Sequence, residues 1–207
     1  MTSERPFAPS ADRNRHAILD ALRDELLPDD LVLEFGSGTA QHICHFAEAL
    51  PTVRWQPTDR SDKLPGMQQW INDCRLPNIL PPVELDLCAE PPALEGVTAC
   101  YSANTLHIIS WPLVMKLFDL SAAKLEKGGK LCIYGPFMFE GEHISDGNRQ
   151  FDRQLRAADP ASGIRDVQDL ETLARKSGFA PARITAMPAN NHLLVWDRCP
   201  STPEPRP

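Results

Sequence analysis

Apolar positions along the chain recur in two alternating rhythms. Pro6 and Pro9 make the first residues irregular. Ile18, Leu19, Leu22 and Leu26 then repeat at three- and four-residue steps, predicting an amphipathic helix from a Ser10 cap to about Leu27. Pro28-Asp29-Asp30 breaks it. LVLEF, residues 31–35, is a short apolar run that predicts a buried strand. A glycine turn follows, then a helix through about Leu50, stopped near Pro51. The alternation repeats, with VRWQPT as a second strand ending at Asp59 and a helix within LPGMQQWINDCR. VELDL predicts a third strand and VTACYSAN a fourth. SWPLVMKLFDLSAAKLEK predicts a helix with Ser110 as N-cap and Pro112 in its first turn. Gly128 and Gly129 end it before a fifth strand, KLCIYGPF.

The rhythm changes after Phe139. The polar stretch EGEHISDGNRQFDRQLRAADPASGIRD has a helical segment from Gly147 to Ala158 and is too long for a plain connection, so it is expected to cover a site. A helix from about Val167 to Ser177 stops at Gly178, and ARITAMPANNHLLVWDR predicts two strands around PANN, most simply an antiparallel hairpin. Strands alternating with helices imply an α/β fold with a doubly wound, mostly parallel sheet. One domain over residues 1–200 is expected, with its cover at about 140–165 and a disordered tail at 201–207.

Composition narrows the function class. At 207 residues, 42% hydrophobic and 24% charged, the chain has the make-up of an ordinary globular domain. No apolar run approaches a membrane span, and the N-terminal residues have no secretory pattern, so a cytoplasmic protein is expected. A formal net charge of −7, with no basic run, argues against nucleic acid as a partner. The six cysteines are scattered with no C-x-x-C pair, which favours reduced thiols, several of them in apolar strands.

The candidate chemistry begins at the glycine turn. A strand, a glycine turn and a helix can bind a cofactor, because glycines admit close backbone approach and the helix start presents unpaired amides. Here the turn is Glu34-Phe35-Gly36-Ser37-Gly38-Thr39-Ala40, and Gln41 stands where a dinucleotide fingerprint has its third glycine. Glu34 would repel a pyrophosphate, which counts against a nicotinamide-dependent oxidoreductase, but it suits a cofactor with an amino acid and a sulfonium. Asp59 is placed to accept both hydroxyls of a ribose, and Asp86 to reach an adenine amino group. Each acid can alternatively cap a helix or turn.

ERPFAPSADRNRHAIL, GSGTAQHICHFA, RWQPTD, YSANTLHI, YGPF, NRQFDRQLRAADPASGIRD and MPANNH, in that order, resemble the DUF938 or methyltransferase-like protein 26 family, within the class I S-adenosylmethionine-dependent methyltransferases. The resemblance spans about residues 10–198. It implies seven strands with a reversed C-terminal hairpin, S-adenosyl-L-methionine as cofactor, and methyl transfer to a small-molecule acceptor. The cofactor residues it implies are Glu34, Gly36, Ser37, Gly38, Thr39, Asp59, Asp86, Leu87 and Asn104. Two positions depart from the family: Ala40 replaces a glycine, tolerable if that position is already helical, and Ser162 replaces an aromatic residue. A non-catalytic binding protein on the same fold is the other reading, since fold does not fix activity.

The acceptor is expected beyond the ends of the fourth and fifth strands. His107, Asn104 and Tyr134 are the catalytic candidates, with His107 either a base or substrate anchor, or a helix-start histidine bonded to backbone. Asn104 would take a hydrogen bond from the nucleophile or brace the methionine part of the cofactor. Tyr134 and Phe137 either wall the pocket or pack in the core. In the cover, Asn148, Phe151, Asp152 and Arg156 share a helix face, and Arg156, Arg165 and Asp166 suit an anionic or zwitterionic molecule unless they form a surface ion-pair network. Arg13 and Asn14 start the first helix near the opening. Asn190 and Asn191 line the pocket or supply a turn. His42 and His45 share a helix face, but with no third ligand in view a metal site is not expected, and His42 is assigned to the pocket instead.

Overall fold

The computed structural model describes residues 5–200, so the tail expected to be disordered lies outside the described residues. A helix α1, Pro9–Arg23, precedes the sheet, and its Ile18, Leu19 and Leu22 are buried. It starts one residue before Ser10 because Pro9, whose ring fixes a helical φ, fits the first turn behind an Ala8 N-cap. Then follow β1 (Leu31–Phe35), α2 (Gln41–Ala49), β2 (Arg54–Asp59), α3 (Leu64–Cys74), β3 (Val83–Glu84), β4 (Ala99–Ala103), α4 (Trp111–Lys124) and β5 (Lys130–Gly135). The C-terminal part adds β6 (Phe137–Phe139), β7 (Glu142–His143), α5 (Asp146–Ala158), β8 (Arg165–Asp166), α6 (Val167–Lys176), β9 (Arg183–Met187) and β10 (Asn191–Asp197).

Seven strands form one sheet in the order β3-β2-β1-β4-β5-β10-β9. All neighbours are parallel except β10, which runs antiparallel between β5 and β9. The expected doubly wound sheet with a reversed C-terminal hairpin is therefore present. Side chains alternate across it, so Leu31, Leu33 and Phe35 join α4 and α6 in one core, whereas Val32 joins α1 and α2 in the other. By the same alternation, Glu34 faces the α1–α2 layer.

Three expectations need correction. The third strand stops at Glu84 instead of running through VELDL. Asp86 closes a turn there, its Oδ1 accepting from the Cys88 amide at 2.7 Å and its carbonyl accepting from the Ala89 amide at 3.0 Å. KLCIYGPF is two strands: the chain leaves the main sheet after Gly135, and β6 begins a separate small sheet ordered β7-β6-β8. Ala40 is not helical but left-handed, at φ +64°, as the N-cap of α2.

Candidate functional site

The strand order reverses between β1 and β4, so the connections leaving these neighbours diverge to opposite faces and open a crevice at their carboxyl ends. A cavity of about 560 Å³ lies there, lined by Gly36 after β1, Asp59 ending β2, Asp86 and Leu87 after β3, and Asn104 after β4. Its volume is in the range of cofactor pockets. Five sequence-derived cofactor candidates thus meet across four chain segments.

The turn after β1 is fixed by bonds to β2. The Ser37 amide donates to the Thr58 carbonyl at 2.9 Å, and Ser37 Oγ accepts from the Thr58 amide at 3.1 Å. Asp59 Oδ2 accepts from the Gly38 amide at 2.8 Å, and its Oδ1 from the Arg60 amide at 2.8 Å. Each Asp59 oxygen retains a lone pair, so this brace leaves acceptor capacity toward the cavity. Thr39 donates its hydroxyl to Gln41 Oε1 at 2.9 Å. Gly36 has φ +70°, and a Cβ there would stand 2.8 Å from Thr105 Oγ1. Gly38 has φ +57°, with nothing within 4 Å of a Cβ position. The first glycine permits close loop packing, and the second leaves open space over its backbone.

Glu34 is 2% exposed, and its Oε2 is buried with no hydrogen-bond partner among the described residues. Burial pushes its pKa up to about 8; the Ser37 hydrogen bond opposes this, and the charge of Asp59 adds to it. A buried carboxyl with a free oxygen fits a ligand bearing an ammonium group.

Asn104 adopts φ +56°, a conformation asparagine tolerates, and its amide donates to the Tyr134 carbonyl at 2.9 Å. His107 is buried, with its ring edge-on to Phe151 at 5.3 Å. Burial, and then Arg165, press its pKa down to about 4, so it is neutral at neutral pH. It lies in the turn before α4, and its main-chain carbonyl accepts from the Gly163 amide at 2.9 Å.

Three candidates from distant segments converge. His42 Nε2 meets Asn14 Oδ1 at 2.7 Å, and the Asn14 side chain also reaches the buried Tyr134 hydroxyl. Burial lowers the pKa of His42 to about 4. Arg13 is exposed on the same helix.

The cover charges are mostly turned inward on the protein. Asp152 Oδ1 accepts from the Ile164 amide at 2.7 Å, and Oδ2 from Arg156 Nε at 2.9 Å. Arg165 Nε donates to the Leu106 carbonyl at 3.0 Å, and its Nη2 donates to the Ile109 and Ala161 carbonyls, fastening the loop after β4. Asp166 caps α6, its side chain accepting from the Gln168 amide. Asn148 Nδ2 donates to the Asn190 carbonyl at 3.1 Å, joining α5 to the hairpin. Ser162 donates its hydroxyl to the Ile108 carbonyl at 2.6 Å. Phe137 is core, packed in the α4–α6 layer. His42 and His45 meet no further ligands: among the described residues, no group of three or more His, Cys, Asp or Glu side chains is arranged to hold a metal ion.

Sequence reasoning missed Arg60, Lys63, Thr105, Ile108, Ile109, Ser110, Leu113 and Asp159, which also line the cavity. Ser110 occupies the expected N-cap position of α4, but its side chain makes no cap bond. The paired Ile108-Ile109 just before a helix was the available signal, and Ile108, 51% exposed, lines the cavity.

Solved structures share this fold. An S-adenosylmethionine-dependent methyltransferase, SibL in its apo form, matches with a TM-score of 0.79 and 20% identity over 92% of this chain and 56% of that one. An O-methyltransferase family protein from Burkholderia thailandensis matches at 0.77 and 15% identity, over 93% and 58%. Human N-acetylserotonin methyltransferase in complex with SAM matches at 0.76 and 15%, over 92% and 53%. This chain therefore spans little more than half the length of those proteins. The family model described as "Protein of unknown function (DUF938)" matches residues 5–198, and the chain belongs to that family.

Proposed function

We propose that the protein is an S-adenosylmethionine-dependent methyltransferase acting on a small-molecule acceptor. The observation that carries this reading is the buried Glu34 carboxyl, with its free Oε2, on the strand whose next residues, Phe35 and Gly36, line the 560 Å³ cavity at the carboxyl ends of β1, β2 and β4. The cofactor's ammonium fits Glu34, its ribose the remaining lone pairs of Asp59, and its adenine the segment Asp86-Leu87 with Ile109 and Leu113. The polar wall holds Asp59, Asp86 and Asp159 against Arg60 and Lys63, a mix of signs that suits a zwitterionic ligand with an added positive charge.

The bound cofactor would supply a methyl group already activated on sulfur, so the protein's share is positioning and exclusion of water. Asn104, at the end of β4, is assigned to brace the methionine portion. His107, neutral and enclosed, is assigned to accept a hydrogen bond from the acceptor, with Phe151 as a wall above it. The Asn14–His42–Tyr134 group is assigned to the polar end of the acceptor. The net charge of −7 favours a small molecule over nucleic acid.

Thermal denaturation with S-adenosylmethionine and its demethylated product tests the cofactor. Both should raise the melting temperature, by about 2.7 kcal/mol of stability at a hundredfold excess over Kd. Asp59→Ala should weaken both. Absence of any shift with either compound at millimolar concentration defeats the proposal. Incubation with labelled methyl donor and a metabolite extract then identifies the acceptor.

A further inference from the structure

Helices α2 and α3 lie side by side with a thiol on each. Cys44 and Cys74 are 30 residues apart, yet their sulfurs stand 3.0 Å from each other. Cys44 Sγ also faces the Trp70 carbonyl at 3.5 Å, and Cys74 Sγ the Ile71 carbonyl at 3.3 Å. Cys44 is buried and Cys74 half-buried. A second cavity, of about 250 Å³, is lined by both cysteines together with Arg15, Gln41 and His45. Arg15 Nε, Gln41 Nε2 and His45 Nε2 are buried there without hydrogen-bond partners among the described residues. Unpaired polar nitrogens around two touching thiols make a recess suited to a small polar reagent.

The geometry points to Cys44 and Cys74 as a reversible disulfide site, closed by exchange with a low-molecular-weight disulfide that enters through this recess. Cys74 is the entry sulfur because it is the more accessible of the two. Its thiolate attacks one sulfur of the reagent, forming a mixed disulfide and releasing one thiolate. Cys44 then gives up its proton and attacks Cys74 Sγ, releasing the second thiolate. Two protein thiols are oxidised, the reagent is reduced to two thiols, and the two protons lost by the protein end on them. Burial, and then the hydrogen bond with Cys74, pushes the Cys44 thiol strongly up, so the second step is slow unless the mixed disulfide places its target in contact. The product clamps α2, which leaves the Gly36–Ala40 turn, to α3, which follows the cavity residue Lys63.

Treating the folded chain with oxidised glutathione, then digesting it without reduction, tests this. The expected result is a cross-linked peptide pairing the Cys44 and Cys74 segments, reversed by dithiothreitol, with a melting temperature raised by roughly 5–10 °C. Cys44→Ser should instead trap glutathione on Cys74, and Cys74→Ala should abolish the cross-link. Cys100 and Cys132, both buried, should remain unmodified and report that the protein stayed folded. The proposal is overturned if glutathione remains on Cys74 in the unsubstituted protein, if Cys74 does not react, or if the cross-link forms only in denaturant.

Discussion

Glu34 shows how one side chain carries a functional commitment. A protonated carboxyl in a buried position is tolerable, whereas an ionised one there needs a cation or several donors. With a pKa raised to about 8, Glu34 is mostly protonated at neutral pH in the cofactor-free protein. An ammonium placed against Oε2 reverses the balance and ionises it, so cofactor binding at pH 7 should release about one proton. Titration calorimetry in two buffers of different ionisation enthalpy measures that number directly. Glu34→Gln should lower affinity about tenfold or more and erase the buffer dependence, since the isostere has no proton to release. Equal buffer dependence in the variant would remove Glu34 from the site. The sequence disclosed the residue because a carboxylate before the first glycine is incompatible with a pyrophosphate. It did not disclose that the group is protonated, because that depends on Tyr101, Asp59 and the α1–α2 layer closing over it.

At the scale of elements, the main sheet was legible because β1, β5 and β10 are built on apolar runs, LVLEF, LCIY and LLVW, and the helices between the strands have periodic faces. The small sheet was not: β6, β7 and β8 have three, two and two residues, too few for any period to register. Their pairing depends instead on the chain's return through Arg165-Asp166. The Cys44–Cys74 contact was illegible for a related reason, since it is made by two helices whose adjacency follows from the sheet order. Helix α5, expected as part of a cover, was visible as a helix, and its start has a definite anchor: Ser145 Oγ accepts from the Asn148 amide at 3.1 Å, while Asn148 holds the hairpin. Ser145→Ala should cost about 1 kcal/mol of helix stability. Hydrogen exchange should then accelerate across 145–158 while the central strands β1, β4 and β5 stay protected. Uniform acceleration over the whole chain, or none in α5, would contradict this local role for the cap.

Over the whole molecule, the buried titratable groups set opposing pH dependences. His42 and His107 have pKa values lowered from 6.5 to about 4 by burial. Each is held neutral in the folded state, so its contribution is present above 6.5 and is lost as pH falls toward 4. Glu34 has the opposite sign: its pKa is raised from 4.5 to about 8, so its contribution is present below 4.5 and is lost as pH rises toward 8. Between 4.5 and 6.5 the unfolded chain binds two more protons at His42 and His107 and one fewer at Glu34. His45 and His192, whose pKa values burial also lowers, add in the histidines' sense, so stability rises with pH. Between 6.5 and 8 only the Glu34 difference remains, and stability falls with pH. The cofactor-free protein should therefore be most stable near pH 6.5, with a slope of about 1.4 kcal/mol per pH unit on the alkaline side and at least as steep a one on the acid side. Below 4.5 the Glu25 carboxylate adds to the acid loss: burial alone would raise its pKa, but hydrogen bonds from Arg183 and Lys130 outweigh that and lower it. Denaturant melts from pH 4 to 9 should trace this dome. Glu34→Gln should flatten its alkaline side and steepen its acid side, because the opposing Glu34 difference also runs between 4.5 and 6.5, and His42→Gln should reduce only its acid side. Saturating S-adenosylmethionine should also remove the alkaline slope, because ionised Glu34 then has its counter-charge. A dome whose alkaline limb survives both Glu34→Gln and the cofactor would assign that limb to other groups, and with it the protonated state of Glu34 would fall.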